Sequence, residues 1–187
     1  MKKITTPLTD DIIADLSAGD QVSISGYLYT ARDVAHKRLV DLLDEGKELP
    51  FNIEGSIIYY VGPSPSKPSA VVGSAGPTTS YRMDAYAERL MDVGMKGMIG
   101  KGKRADNVVQ AMINYRAIYF AAIGGAAALI AKSIRSVEIV AYKDLGPESI
   151  RRMEVEDFRC VVINDISGKD LYEIGQSEYQ IGPDKTN

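Results

Sequence analysis

Gly73-Ser74-Ala75-Gly76-Pro77-Thr78-Thr79-Ser80-Tyr81-Arg82-Met83-Asp84 decides how the rest of this chain is read. It has the form of a strand end, a tight glycine turn and a helix start. Gly73 and Gly76 let the backbone turn sharply and approach a ligand closely. Pro77 restricts the chain and has no N–H to donate. Thr79 or Ser80 is placed to cap the helix by accepting from its first-turn N–H groups. Met83, Tyr86, Ala87, Leu90 and Met91 then recur at helical spacing on one face, and Gly94 is placed to stop the helix. Three hydroxyls and one guanidinium thus gather at a helix N-terminus, where free N–H groups and the dipole favour an anion. A capped helix start beside a surface arginine is the other reading of the same residues.

Outward from this stretch, strands and helices alternate. A short helix starts at Thr9-Asp10-Asp11 and runs through Leu16. Gln21 to Thr30 alternates as a strand, with Val22, Ile24, Gly26 and Leu28 on one side. Asp33 reads as the N-cap of a helix whose apolar face is Ala35, Leu39, Leu42 and Leu43. Ser56 to Val61 is a strand, followed by a rigid proline-rich loop over Gly62–Pro68. Beyond Gly94, a strand is expected at Lys96 to Ile99, and then a helix with Ala105, Val108, Val109 and Met112 on one face. A strand follows at Ala117 to Ile123, and a small-residue helix at Gly124 to Ala131. Further strands are expected at Val137 to Ala141 and Arg159 to Asn164. The class is therefore α/β with a mixed sheet.

Two other places hold candidate chemistry. Arg32 precedes a helix and His36 lies four residues on, so both face one side if the first turn reaches back to Arg32. A structural hydrogen-bonding role is the ordinary one for such a histidine. Lys101 stands between Gly100 and Gly102, which exposes its ammonium; a plain surface lysine fits the same pattern. Gly100-Lys101-Gly102-Lys103-Arg104 lacks the glycine spacing and hydroxyl of a phosphate-binding P-loop. Gly124-Gly125 lacks the spacing of a dinucleotide turn. One cysteine and one histidine cannot close a zinc site or hold an iron–sulfur cluster.

Composition bounds the rest. The chain has 187 residues, enough for one sizeable core, and a net charge of −3, which argues against nucleic acid as the main partner. The start, Met1 to Pro7, has no apolar signal-peptide core, and no charge-free apolar run is long enough to span a membrane. The single cysteine, Cys160, excludes an internal disulfide, suits a reducing compartment and sits in a buried-strand pattern. A soluble, cytoplasmic protein is expected.

The stretch Gly76 to Asp84 resembles the signature of the carboxy-terminal part of class I, iron–sulfur fumarases, and L-tartrate dehydratase β subunits carry a similar stretch. Tyr29-Thr30-Ala31-Arg32-Asp33-Val34-Ala35-His36-Lys37-Arg38 and Lys96-Gly97-Met98-Ile99-Gly100-Lys101-Gly102 resemble two further blocks of that family, in the same order. The likeness runs from about Thr5 to about Leu171. It implies a single swivelling β/β/α domain over residues 1–175 with a polar tail over 176–187. It implies a hydro-lyase β subunit that interconverts fumarate and L-malate, a tricarboxylic acid cycle reaction. The alternatives are an L-tartrate dehydratase β subunit or a non-catalytic small-anion-binding module. The four-iron, four-sulfur cluster of that family would be carried by a separate α subunit, with no metal or cofactor bound by this chain. The open iron would act there as a Lewis acid on the hydroxyl. By the same resemblance Thr78 transfers the proton, with His36 as the alternative acid or base. Arg32, Arg82 and Lys101 hold the dicarboxylate, with Thr78, Thr79, Ser80 and Tyr81 lining the same loop. Self-association within the complex is expected.

Overall fold

A computed structural model describes residues 1–64, 71–122 and 127–179. Most of the proline-rich loop, the start of the small-residue helix and the end of the polar tail lie outside the described residues. The strands are β1 (Lys2–Thr5), β2 (Gln21–Thr30), β3 (Ile57–Tyr59), β4 (Gly97–Gly100), β5 (Ile118–Ala122), β6 (Ile134–Ala141) and β7 (Ile150–Asn164). The helices are α1 (Asp10–Ala14), α2 (Asp33–Asp44), α3 (Asp84–Asp92), α4 (Asp106–Tyr115), α5 (Ala127–Ser133) and α6 (Leu171–Tyr179). The class is α/β with a seven-stranded mixed sheet, as expected.

β1 to β5 run parallel in the order β1-β2-β3-β4-β5, each joined to the next by a crossover containing a helix. β7 runs antiparallel and is long enough to serve both edges of that sheet. One of its edges pairs with β2 along Gln21 to Thr30. Its other edge pairs with β6 over Ile150 to Val155 and then with β5 over Cys160 to Asn164. The run β2-β3-β4-β5-β7 therefore closes on itself. Asp157, at a positive φ of 52°, lies in the interval where β7 passes from β6 to β5.

Closure makes two cores, and alternation along each strand sorts side chains between them. Ile57 and Tyr59 of β3, Ile99 of β4 and Phe120 of β5 face inward onto Leu28, Met153, Phe158 and Cys160. Ile58, Tyr60, Met98 and Tyr119 face outward, under Ala35 and Leu39 of α2, Ala87 and Leu90 of α3, and Val108 and Met112 of α4. Each fully buried Leu or Ile is worth about 1.5–3 kcal/mol against exposure. Cys160 is one of these inward residues, and burial raises its thiol well above the usual range.

Several elements depart from the sequence reading. β1 and the first half of β7 carry too many charges to read as elements from pattern alone, and α6 is interrupted by Gly175. In Ile150-Arg151-Arg152-Met153-Glu154-Val155-Glu156-Asp157 the apolar residues are buried, and pairing on both edges makes the strand. α6 runs through residue 179, into the stretch expected to be tail. α2 begins one residue early, because Arg32 and not Asp33 is its N-cap. Among the described residues no strand leads directly into the Gly73–Asp84 stretch; β3 ends at Tyr59, and Gly73 to Thr78 is irregular chain. That chain is pinned by Ser64 N–H on the Ser74 carbonyl and Gly73 N–H on the Ser64 carbonyl, by the Tyr59 hydroxyl on the Ala75 carbonyl, and by Thr78 N–H on the Tyr60 carbonyl at 2.7 Å. A 3₁₀ turn, Ser80–Met83, then feeds α3.

Candidate active site

The carboxyl ends of β2, β3 and β4 point the same way, so the segments that leave them meet at one end of the parallel sheet, where α/β folds place ligands. β2 leads to Arg32 and the start of α2. β3 leads to Tyr60, whose carbonyl holds Thr78. β4 leads to Lys101, whose carbonyl accepts from Ser80 N–H at 2.9 Å, and Thr79 and Lys101 form a parallel bridge. Arg82 in the 3₁₀ turn reaches across to α2 and donates to Asp33 Oδ2 at 2.8 Å. The three blocks read from the sequence therefore come together.

The individual side chains differ in what they face. Tyr81 is 67% exposed, Lys101 is exposed, and Thr78 and Thr79 are half-buried. Ser80 is fully buried and its hydroxyl is shared with that of Tyr119 at 2.8 Å, so it faces the sheet. Neither Thr79 nor Ser80 caps the turn through its side chain. The N–H groups of Thr78 and Ser80 are already bound to carbonyls, which removes two of the donors a helix-terminus anion site would use. Arg32 is paired with Glu148 at 2.8 Å and Arg82 with Asp33, both pairs part-exposed. Pairs of that kind are worth about 0–1 kcal/mol, so an incoming carboxylate can displace or share them.

His36 meets Arg32 at its backbone: the ring is fully buried on α2, with Nδ1 2.9 Å from the Arg32 carbonyl oxygen, and lies edge-on to Tyr60. The Nδ1–H tautomer donates that bond. Burial pushes its pKa down to about 4, with the nearby Arg104 guanidinium lowering it further and the Arg32 bond opposing. A pH-rate limb near the ordinary histidine value is therefore not expected from this ring. A stability effect is. Between the ordinary value of 6.5 and about 4, the unfolded chain takes a proton on His36 that the folded chain refuses. Stability is therefore full above that window and falls as pH falls through it, by up to about 3 kcal/mol. His36→Asn should lose less melting temperature than wild type between about pH 7 and about pH 4.5. Equal losses would mean that the ring titrates freely in the folded protein.

Beneath the loop lies a polar layer that the sequence reading passed over. Arg104 is 2% exposed. Its Nε donates to Asp84 Oδ1 at 2.7 Å, and the other oxygen of Asp84 accepts Ala105 N–H at 2.9 Å. The guanidinium carbon lies 5.5 Å from the Tyr60 ring centre and 5.1 Å from that of Tyr119. Asp33 and Asp84 stand inside the quoted blocks and Arg104 ends the Lys101 run, so the signal was adjacency to those blocks. Glu148 had none.

The family model for the fumarase C-terminus matches residues 2–175. The chain belongs to that family. It is 40% identical over 168 residues to the anaerobic class I fumarate hydratase of Escherichia coli K12, covering 87% of this chain and 31% of that protein. It is 38% identical over 172 residues to a putative L(+)-tartrate dehydratase subunit beta of Methanocaldococcus jannaschii, covering 89% of this chain and 88% of that protein. Fumarate hydratase 2 of Leishmania major is 36% identical over 162 residues, 86% of this chain and 28% of that protein. The chain thus spans less than a third of the length of these fumarate hydratases and nearly all of the tartrate dehydratase subunit. No helix among the described residues is long and apolar enough to cross a membrane.

Proposed function

We propose that this fumarase C-terminus family member is the β subunit of a hydro-lyase that interconverts fumarate and L-malate by reversible hydration. The observation that carries the reading is the meeting of Arg32, Arg82, Lys101 and Thr78 at the carboxyl ends of three parallel strands. Three cations suit a substrate with two carboxylates, and an arginine can grip a carboxylate with two parallel bonds. Moving a proton on the carbon beside a carboxylate builds charge on that carboxylate, and fixed cations stabilise it. Thr78 is the proton-transfer residue in this reading. Its hydroxyl is a weak base alone, and a cationic neighbourhood favours its deprotonated form. Thr79 and Tyr81 line the entrance, Ser80 anchors the loop, and His36 holds the Arg32 backbone.

The chain's own residues do not fit an iron–sulfur cluster. Its one cysteine is buried in the sheet, far from thiolate character. The four-iron, four-sulfur cluster therefore belongs, in this reading, to a separate α subunit, where it supplies Lewis-acid chemistry at the hydroxyl. The full-length likeness to a tartrate dehydratase beta subunit favours the two-chain arrangement and supports a second reading, dehydration of L-tartrate in the same site. The complex would sit in the cytoplasm.

The test is reconstitution. The purified chain alone should be colourless and should neither hydrate fumarate nor dehydrate tartrate. Co-expressed with its α partner it should yield a brown complex active on one of the two. Hydratase activity from the isolated chain would overturn the two-subunit reading.

A further inference from the structure

Two of the cations in that reading, Arg82 and Lys101, stand close in the chain to opposite members of one buried ion pair. Arg82 lies two residues before Asp84, and Lys101 three residues before Arg104. Asp84 begins α3, and its carboxylate is taken at both oxygens, by Arg104 Nε and by Ala105 N–H. Arg104 cannot swing. Its side chain is fully enclosed, with its guanidinium over the Tyr60 and Tyr119 rings and Nη1 on Met98 Sδ at 3.1 Å. Tyr119 completes the frame: its hydroxyl meets Ser80 Oγ on one loop and donates to the Gly102 carbonyl at 2.9 Å on the other. A buried ion pair contributes little net stability against an apolar pair of the same size, and its best-attested use is to fix register.

We propose that Asp84 and Arg104 are positioning residues that set the separation of Arg82 and Lys101, and so select a ligand with two carboxylates over one with a single carboxylate. This rests on the dicarboxylate reading above. The pair touches no substrate; it locks the 3₁₀ turn that carries Arg82 to the loop that carries Lys101. One anchored cation suffices for a monocarboxylate. Two ends of one rigid molecule require both cations at the right spacing.

The experiment uses the complex with its partner chain and the double variant Asp84→Asn/Arg104→Met, which removes both charges together and leaves Ala105 N–H an acceptor. Inhibition by succinate and by propionate is measured alongside the Michaelis constant for fumarate. Succinate inhibition and fumarate affinity should weaken by about tenfold or more, the scale of one charge-assisted bond lost, while propionate inhibition shifts by less than about threefold. Arg104→Lys, which keeps the charge and loses the planar fork, should shift succinate in the same direction by less. Equal weakening of both inhibitors, or no change in either, would overturn the positioning role. Absence of succinate inhibition in the wild-type complex would overturn the dicarboxylate reading itself, and the proposal with it.

Discussion

Thr78→Val is expected to reduce turnover of the reconstituted complex by about a hundredfold or more, the usual scale for losing a positioned acid or base. Valine keeps the branched shape and deletes only the hydroxyl. The backbone bond from residue 78 to the Tyr60 carbonyl needs no side chain, so the loop should hold its course. The bridge of Thr79 to Lys101 and the burial of Ser80 are likewise untouched. Substrate affinity should therefore change little, because Arg32, Arg82 and Lys101 remain. Single-turnover rates and binding of substrate to the variant complex separate the two effects. A variant with full turnover would remove Thr78 from the chemistry. One with normal turnover and weakened binding would make it a binding residue only.

Arg104→Met by itself should destabilise the chain by about 3–5 kcal/mol, because it leaves a buried carboxylate without its cation. The Asp84 side chain is 11% exposed and, among the described residues, would keep the Ala105 N–H as its one donor. For a domain of this size that is a drop of roughly 10 °C in melting temperature. The double variant Asp84→Asn/Arg104→Met should recover most of the loss, since neither charge is then orphaned. Thermal melts of the single and double variants check this. A loss of under about 1 kcal/mol in the single variant would mean that water reaches the pair and that Arg104 is not buried in solution. His36 should respond too: with the guanidinium gone, one of the influences holding its pKa low disappears, and the acid limb of the stability profile should shorten.

Much of the architecture was legible because secondary structure is written in local periods. Of the helical face Met83, Tyr86, Ala87, Leu90 and Met91, all but the half-buried Tyr86 are buried, and the chain turns at Gly94 with a φ of 108°. The strand over Gln21–Thr30 has the bounds its alternation implies. The order of the three quoted blocks was legible, as were the residue types suited to holding a dicarboxylate. The basic run ending at Arg104 was also in plain view, yet as sequence it was weighed only as a phosphate-binding loop, and Arg104 itself carried no role. Nothing beside it in the chain says that Asp84 arrives from 20 residues away to neutralise it.

The sequence by itself determined the alternation of strands and helices, the stops at glycine, and the presence of three cations and a threonine in three short blocks. Each of these depends on neighbours in the chain, or on side-chain chemistry that no fold alters. Only the tertiary structure decided which of those residues faces solvent and which faces the sheet. Thr79 and Ser80 read alike as caps, but the hydroxyl of Ser80 finds Tyr119, 39 residues away, and turns inward. Arg82 finds Asp33, 49 residues away, and Arg32 finds Glu148. The charged first half of β7 becomes a strand because β2 and β6 supply its hydrogen-bond partners on both sides. Burial and pairing are set by what the closed sheet brings alongside, over separations at which the chain has no period to read.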